Sequence, residues 1–411
     1  MKKTSLFNSL KFIGPGLAVA ATGVGAGDMI AASVAGAKYG VVVLWAVILG
    51  AVLKYALNEG IARWQFATGS TILEGWISRL PSFFSIYFII YLGLWSFIVA
   101  GALISACGLA ANAVFPEFSI QVWGVIHSLF CVILVFVGRY NLFEKLMKFF
   151  IAVMFCTLIF CAAVVLPEIE FSWSYLIPSV PTGSGKFLLG VLGGVGGSVT
   201  LLSYSYWIKE SGWTSKDDFK KSKIDLSVAY IFTGLFGIAV MIIASGVTPN
   251  LLEGGKIILE IAARLENVLG SAGKWAFLIG FWGAVFTSLL GVWQGVPYLF
   301  SDFVTTYNKN KDKNYKPTKE KSNFYYNIYL FYLAIPPLLL LLFNKPGWVV
   351  IIYTIVGSMF MPFLAVTLIM MNNKKAWVGN FKNNLLINFI LIVSLAVFLY
   401  VSINEIIDLF G

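Results

Sequence analysis

Long apolar runs separated by short polar stretches dominate the chain, and none shows the period-two alternation that a membrane-spanning strand requires. Eleven of these runs approach or exceed the roughly 20 residues a helix needs to cross about 30 Å of hydrocarbon. They are 14–38, 43–66, 84–111, 120–138, 146–167, 187–208, 226–247, 275–300, 323–343, 347–371 and 385–404. Between Leu80 and Gly138 the only acidic or basic residue other than His127 is Glu117, which falls in the gap between the third and fourth runs. The pattern predicts an all-α integral membrane protein with 11 transmembrane helices, whose main partner is the lipid bilayer.

Composition agrees with the pattern. Of the 411 residues, 59% are hydrophobic and 12% charged, with a mean hydropathy of +0.85, whereas soluble domains carry about 25% charged residues. This excludes a secreted disulfide module and an ordinary cytosolic enzyme. The net charge of +10 would suit a nucleic-acid partner if it were clustered on a folded surface, but the basic residues follow the gaps between runs. With the N-terminus inside, 21 of the 29 Lys and Arg lie on the cytoplasmic side, 5 on the opposite side and 3 within spans. That bias predicts a multi-pass protein of the cytoplasmic membrane with a cytoplasmic N-terminus (1–13), an extracellular C-terminus and no nucleic-acid partner. The lysine-rich stretch Asn308–Lys321 reads as a solvated cytoplasmic loop, and the N-terminus carries no cleavable signal. The aromatic content, 16%, reads mostly as lipid-facing and interfacial packing. Cys107, Cys131, Cys156 and Cys161 all fall in apolar spans and read as core residues, with neither metal spacing nor a disulfide framework.

Two spans are interrupted by glycine, in Thr22-Gly23-Val24-Gly25-Ala26-Gly27-Asp28 of the first and Gly190–Ser198 of the sixth. They occupy corresponding places in two successive groups of five spans. Such paired interruptions point to an inverted-repeat transporter with its substrate site between two broken helices, here repeats 14–170 and 171–372 followed by an eleventh helix and C-terminus, 373–411. Close helix packing of the small-xxx-small kind is the competing explanation, but packing alone needs no acidic residue at the end of the first cluster.

That acidic residue, Asp28, is the leading functional candidate, because a carboxylate inside a span costs several kcal/mol unless paired or hydrated. Beside unwound backbone it could complete a hard-cation site with freed carbonyls, or it could cap the second half-helix; the two roles can coexist. Glu59 and Arg63, four apart in the second span, read as a structural pair. Lys54 could act as a fixed cation in place of a bound ion or could simply neutralise Glu59, and the second is the preferred reading. The lone histidine, His127, reads as a polar residue bonded to a neighbouring helix rather than as a proton relay. No nucleophile and base pair can be proposed without a usable histidine, so neither an enzyme nor a cofactor is expected.

Gly14-Pro15-Gly16, Ala35–Gly40 and Ala67-Thr68-Gly69, with Thr287-Ser288 and Gln294 in the eighth span and Met361-Pro362-Phe363 in the tenth, resemble the Nramp divalent-metal transporters, a branch of the LeuT-fold superfamily. The resemblance implies a LeuT-type 5+5 inverted repeat with broken helices 1 and 6. The site motifs depart from that family. Where Nramp proteins carry Asp-Pro-Gly-Asn this chain has Gly25-Ala26-Gly27-Asp28, so the metal-binding aspartate is replaced by Gly25 and the asparagine by Asp28. The family's metal-binding methionine aligns with Ser198, its two histidines with Thr200 and Ser205, and the glutamine of the tenth helix with Phe360; the third helix lacks the acidic residues of a proton path. Losing the thioether removes preference for soft metals, so the resemblance implies a divalent-cation transporter shifted from manganese and iron toward harder ions such as Mg²⁺, with weak or no proton coupling. The candidate substrate site comprises Thr22, Gly25, Gly27, Asp28, Val195, Ser198, Thr200 and Gln294, with Asp28, Gly25, Val195 and Ser198 as metal ligands. A second expectation follows from Gly25-Ala26-Gly27, which also resembles the Gly-Ser-Gly break on which amino-acid transporters of the same superfamily seat a carboxylate. The substrate would then be a small organic solute coupled to an ion gradient.

Overall fold

The computed structural model describes residues 14–137, 140–169, 172–194, 197–247 and 256–410, and among them all regular structure is helical. The first span is two half-helices, α1 (Pro15–Gly23) and α2 (Ala26–Tyr39), the second of which runs through a 3-10 turn into α3 (Leu44–Thr68). A short α4 (Ile72–Arg79) precedes the long α5 (Ser82–Val114), α6 (Ile120–Val137) and α7 (Tyr140–Val165). The sixth predicted span is divided into α8 (Gly185–Gly194), a 3-10 segment Val199–Ser203 and α9 (Tyr204–Glu210). There follow α10 (Asp218–Ala244), α11 (Lys256–Leu269), α12 (Ser271–Lys311), α13 (Lys319–Ala334), α14 (Pro346–Ser358), α15 (Phe360–Asn372), α16 (Lys375–Val378) and α17 (Leu385–Phe410). By length and apolar character, eight helical stretches of the described residues can cross a membrane, or nine when a pair bent at Phe381–Leu385 is taken as one span.

Where the elements differ from the sequence expectation, local chemistry explains it. α12 continues past residue 300 to Lys311 because no Gly or Pro follows Pro297 to stop it, and Lys309 and Lys311 complement the C-terminal end of its dipole. The stretch Asn308–Lys321 therefore begins as helix, and a loop follows only from Asp312. The ninth span changes to a 3-10 helix at Pro336-Pro337, where two amide donors are missing. Pro362 cannot donate to the Ser358 carbonyl, and the tenth span is interrupted at Met359. α4 is nucleated by a capping box in which Glu74 N–H donates to Thr71 Oγ1 at 3.2 Å and Thr71 N–H to Glu74 Oε2 at 2.8 Å.

Burial corrects two expectations. Trp64, Trp76, Trp95, Trp207 and Trp293 are fully buried, so much of the aromatic mass fills helix interfaces rather than facing lipid. Cys107, Cys131 and Cys161 are buried as expected, but Cys156 is exposed on the outer face of α7. His127 is held on both ring nitrogens: Trp282 Nε1–H donates to Nε2 at 2.9 Å, and Nδ1 lies 2.7 Å from the Trp123 carbonyl. With Nε2 accepting, Nδ1 carries the proton, so the ring ties α6 to α12 as a neutral strut.

The broken helices lie at the centre of this bundle. α1 packs against α7, α10 and α12, whereas α2 packs against α8, α10 and α14; α3 runs beside α8 and α10.

Candidate functional site

The first break is a two-residue gap, Val24-Gly25, between α1 and α2. Breaking a helix leaves carbonyls without intrahelical donors, and α12 supplies partners: Ser288 Oγ–H donates to the Thr22 carbonyl at 2.6 Å and Thr287 Oγ1–H to the Ala21 carbonyl at 3.2 Å. α12 comes so close that a Cβ on Gly25 would lie 2.3 Å from both Cβ and Oγ of Ser288. Gly25 is the N-cap of α2, without a side-chain cap bond, and its carbonyl accepts from Met29 N–H at 2.9 Å. The Gly25 carbonyl expected as a metal ligand is thus already engaged in the first turn of α2, leaving one lone pair.

Asp28 is the third residue of α2, not its N-cap, and is 3% exposed. Lys54 of α3 and Tyr353 of α14 are within Coulombic reach of its carboxylate. Gly27 keeps α14 close to this turn; a Cβ there would fall 2.9 Å from the Tyr353 ring and 3.0 Å from Thr354 Cγ2.

At the second break the described chain resumes at Gly197, with φ +80°, a region that side chains other than glycine's rarely tolerate. A Cβ at Gly197 would also lie 2.4 Å from Thr200 Oγ1 and 3.3 Å from the Gly23 Cα, so the two interrupted backbones touch. Ser198 Oγ accepts from Trp95 Nε1–H at 3.0 Å. Thr200 is buried in the following 3-10 segment. Val195, expected to contribute a carbonyl, lies outside the described residues.

Lys54 joins the two breaks. It is fully buried, its Nζ donates to the Gly193 carbonyl at 2.9 Å and to the Gly197 carbonyl, and the Asp28 carboxylate is its electrostatic neighbour. This overturns the expectation that it neutralises Glu59. Glu59 is bound instead by Arg63, Nε to Oε2 at 3.1 Å with a second contact from Nη2, and Arg63 also reaches the Phe381 carbonyl at 3.1 Å. The reason is helical reach. Glu59 and Arg63 are one turn apart, whereas Lys54 is five residues from Glu59 and on a different face.

Gln294 stands apart from this group. It lies six residues beyond Ser288 on α12, a rise of about 9 Å, where Trp207 Nε1–H donates to its Oε1 at 2.7 Å and Tyr326 Oη–H to its carbonyl at 3.1 Å. It borders a separate cavity of about 550 Å³ that Glu210, Ser301, Asn323 and Asn327 also line. The structure therefore brings together Thr22, Gly25, Gly27, Asp28, Ser198 and Thr200, and adds Lys54, Trp95, Tyr353 and Thr354, which sequence reasoning did not place there. Only Lys54 carried a signal, as a charged residue deep in a span. Among the described residues no group of three or more His, Cys, Asp or Glu is placed to hold a metal ion.

Comparisons with known proteins bear on the family and the fold. The family described as natural resistance-associated macrophage protein-like (Nramp) matches residues 16–408. An uncharacterized protein of Pasteurella multocida is 23% identical over 303 residues, 67% of this chain, and the match spans 66% of that relative's length. Among solved structures, a manganese transporter of Eremococcus coleocola superposes with a TM-score of 0.73 at 15% identity, covering 98% of this chain and 88% of that one. A Na⁺-coupled sialic acid symporter has a TM-score of 0.60 at 15% identity, covering 93% and 87%, and a nucleobase-cation-symport-1 family transporter 0.52 at 13%, covering 96% and 92%. The same fold therefore serves transporters whose names cite a metal, a sugar acid or a nucleobase. With nearly its whole length inside the family match, this chain is a multi-pass membrane protein of the Nramp family.

Proposed function

We propose that this protein is a secondary transporter that works by alternating access around the helix breaks at Val24-Gly25 and Gly194–Ser198, and that its substrate is a small organic solute carrying a carboxylate, such as an amino acid. The carrying observation is the Lys54 ammonium bound to the Gly193 and Gly197 carbonyls beside Asp28. The two side-chain charges at the site sum to zero, so the site lacks the negative excess that attracts a bare dication. At an effective dielectric of about 20, the repulsion of a divalent ion about 4 Å from that ammonium, roughly 8 kcal/mol, offsets an attraction of the same size to Asp28 at the same distance, so the pair gives a dication no net gain. A zwitterion gains at both charges, and the N–H groups in the first turn of α2 face the break without intrahelical acceptors. A zwitterion could then set its carboxylate toward Lys54 and the α2 terminus and its ammonium toward Asp28.

The divalent-cation reading, with selectivity shifted toward Mg²⁺ and weak or no proton coupling, is the second one. Membership in the Nramp family and the Asp28 carboxylate favour it, but it requires Lys54 to leave the break or give up its proton. Both readings share one architecture. The architecture proposed for both is eleven spans in a 5+5 inverted repeat, with the N-terminus cytoplasmic and the C-terminus outside, which the paired glycine interruptions and the charge bias of the loops support. Uptake into proteoliposomes decides the substrate: an amino-acid panel should show saturable entry while Mg²⁺, Mn²⁺ and Ca²⁺, read with internal dyes, do not enter. Saturable entry of any of these metals, with silence across the organic panel, would establish the second reading instead.

A further inference from the structure

An isolated lysine with no exposed surface is among the costliest groups to bury, yet Lys54 is placed there with specific partners. Its aliphatic stem rises from α3, and its nitrogen meets the Gly193 carbonyl at 2.9 Å and the Gly197 carbonyl, one on each side of the second break. The Asp28 carboxylate on α2 supplies the opposite charge. Unwound carbonyls together with one carboxylate are the donor set that a broken membrane helix offers to a free monovalent cation. An ammonium has three N–H donors; the two carbonyls take two of them, and the third is available to an anionic acceptor.

We infer that Lys54 is a tethered cation: its Nζ fills a monovalent-cation site shared by the two helix breaks, and removing the side chain exposes a site that takes a free ammonium or alkali-metal ion. The tether explains how the Gly193 and Gly197 carbonyls are accommodated in a low-dielectric interior, because each gains a charged donor. It also implies that the protein needs no inorganic cation to assemble its site. The ligand class is narrow. The missing piece in Lys54→Ala is propylammonium, so primary amines of up to three carbons fit in size and charge, whereas tetramethylammonium, with no N–H, cannot bond the carbonyls.

This inference deepens the proposed function, and its test uses no transport readout, so it can fail while the transporter reading stands, and the reverse. Thermal unfolding is followed in nanodiscs for wild type, Lys54→Ala, Lys54→Met and Asp28→Asn/Lys54→Ala. The tethered-cation account expects Lys54→Ala to unfold at lower temperature and to be restored saturably by propylammonium, by roughly 5 °C at a hundredfold excess over Kd, and more weakly by Na⁺ or K⁺. Wild type and Asp28→Asn/Lys54→Ala should not respond, and tetramethylammonium should do nothing. Should Lys54→Ala prove too unstable to isolate, Lys54→Met keeps the length without the charge. Adding Asp28→Asn to it should raise its unfolding temperature, because a buried carboxylate that has lost the Lys54 counter-charge disappears, whereas Asp28→Asn alone should lower that of wild type. Equal stabilisation of wild type and Lys54→Ala by amines, no response in Lys54→Ala, or Asp28→Asn lowering stability in both backgrounds would each overturn the inference.

Discussion

Replacing Asp28 with alanine is expected to abolish transport of whichever substrate the protein carries. The carboxylate balances Lys54 in a site with almost no solvent exposure. Truncating one member of a buried pair of opposite charges destabilises a protein by about 3–5 kcal/mol, and a cationic group of the substrate loses its counter-charge at the same time. Asp28→Asn separates charge from shape. Asparagine is a good helix cap, so if the residue only completed the start of α2, that variant would transport normally. The N-cap of α2 is Gly25, and Asp28→Asn is therefore expected to be as inactive as Asp28→Ala, read as initial uptake rate at matched protein content. Transport within twofold of wild type would reduce Asp28 to a structural residue.

The second large effect is expected at Gly25. A methyl group there would sit 2.3 Å from the Ser288 Cβ and Oγ, far inside contact distance, and the neighbour is a side chain anchored to the Thr22 carbonyl. Overpacking of this kind costs typically about 1–3 kcal/mol and moves backbone. Here the backbone that must move is one wall of the break. Gly25→Ala is expected to cut uptake at least about tenfold, and Gly25→Val to prevent folding. Shrinking the obstacle tests the cause: Gly25→Ala combined with Ser288→Gly should regain most of the lost rate, whereas the same deficit in the double variant would show that contact with α12 is not what excludes a side chain at residue 25.

The hydrophobic pattern carried most of the architecture because lipid imposes it: a span must be apolar for about 20 residues whatever it packs against. Gly23 to Gly27 was legible as a break because glycine weakens helices in a recognisable density, whereas Gly190 to Gly194, read as part of the second interruption, forms the end of α8. What the pattern could not carry was partnership. Lys54 is surrounded in sequence by residues of its own span, and nothing in the spacing says that its nitrogen reaches Gly193, 139 residues away, in preference to Glu59 one turn and a fraction along the same helix. Trp95 was invisible for the same reason, since its bond to Ser198 depends on the depth at which α5 passes the second break. Gln294 was misplaced because a family position was carried over on a helix whose register toward Trp207 the sequence does not state. The short α4 was within reach, as Thr71-Ile-Leu-Glu74 has the spacing of a capping box.

The account rests on one claim above all: that the site between the two breaks opens alternately to the two sides of the membrane. Thr22 offers a probe, because it lies two residues before the first break, is buried against Gly291 of α12, and its Oγ1 has no hydrogen-bond partner to lose. With the four native cysteines replaced, Thr22→Cys in oriented proteoliposomes would be challenged with a membrane-impermeant thiol reagent from one side and then from the other. Alternating access predicts labelling from both sides, with bound substrate shifting the balance between them. Labelling from one side only, or none with or without substrate, would contradict it.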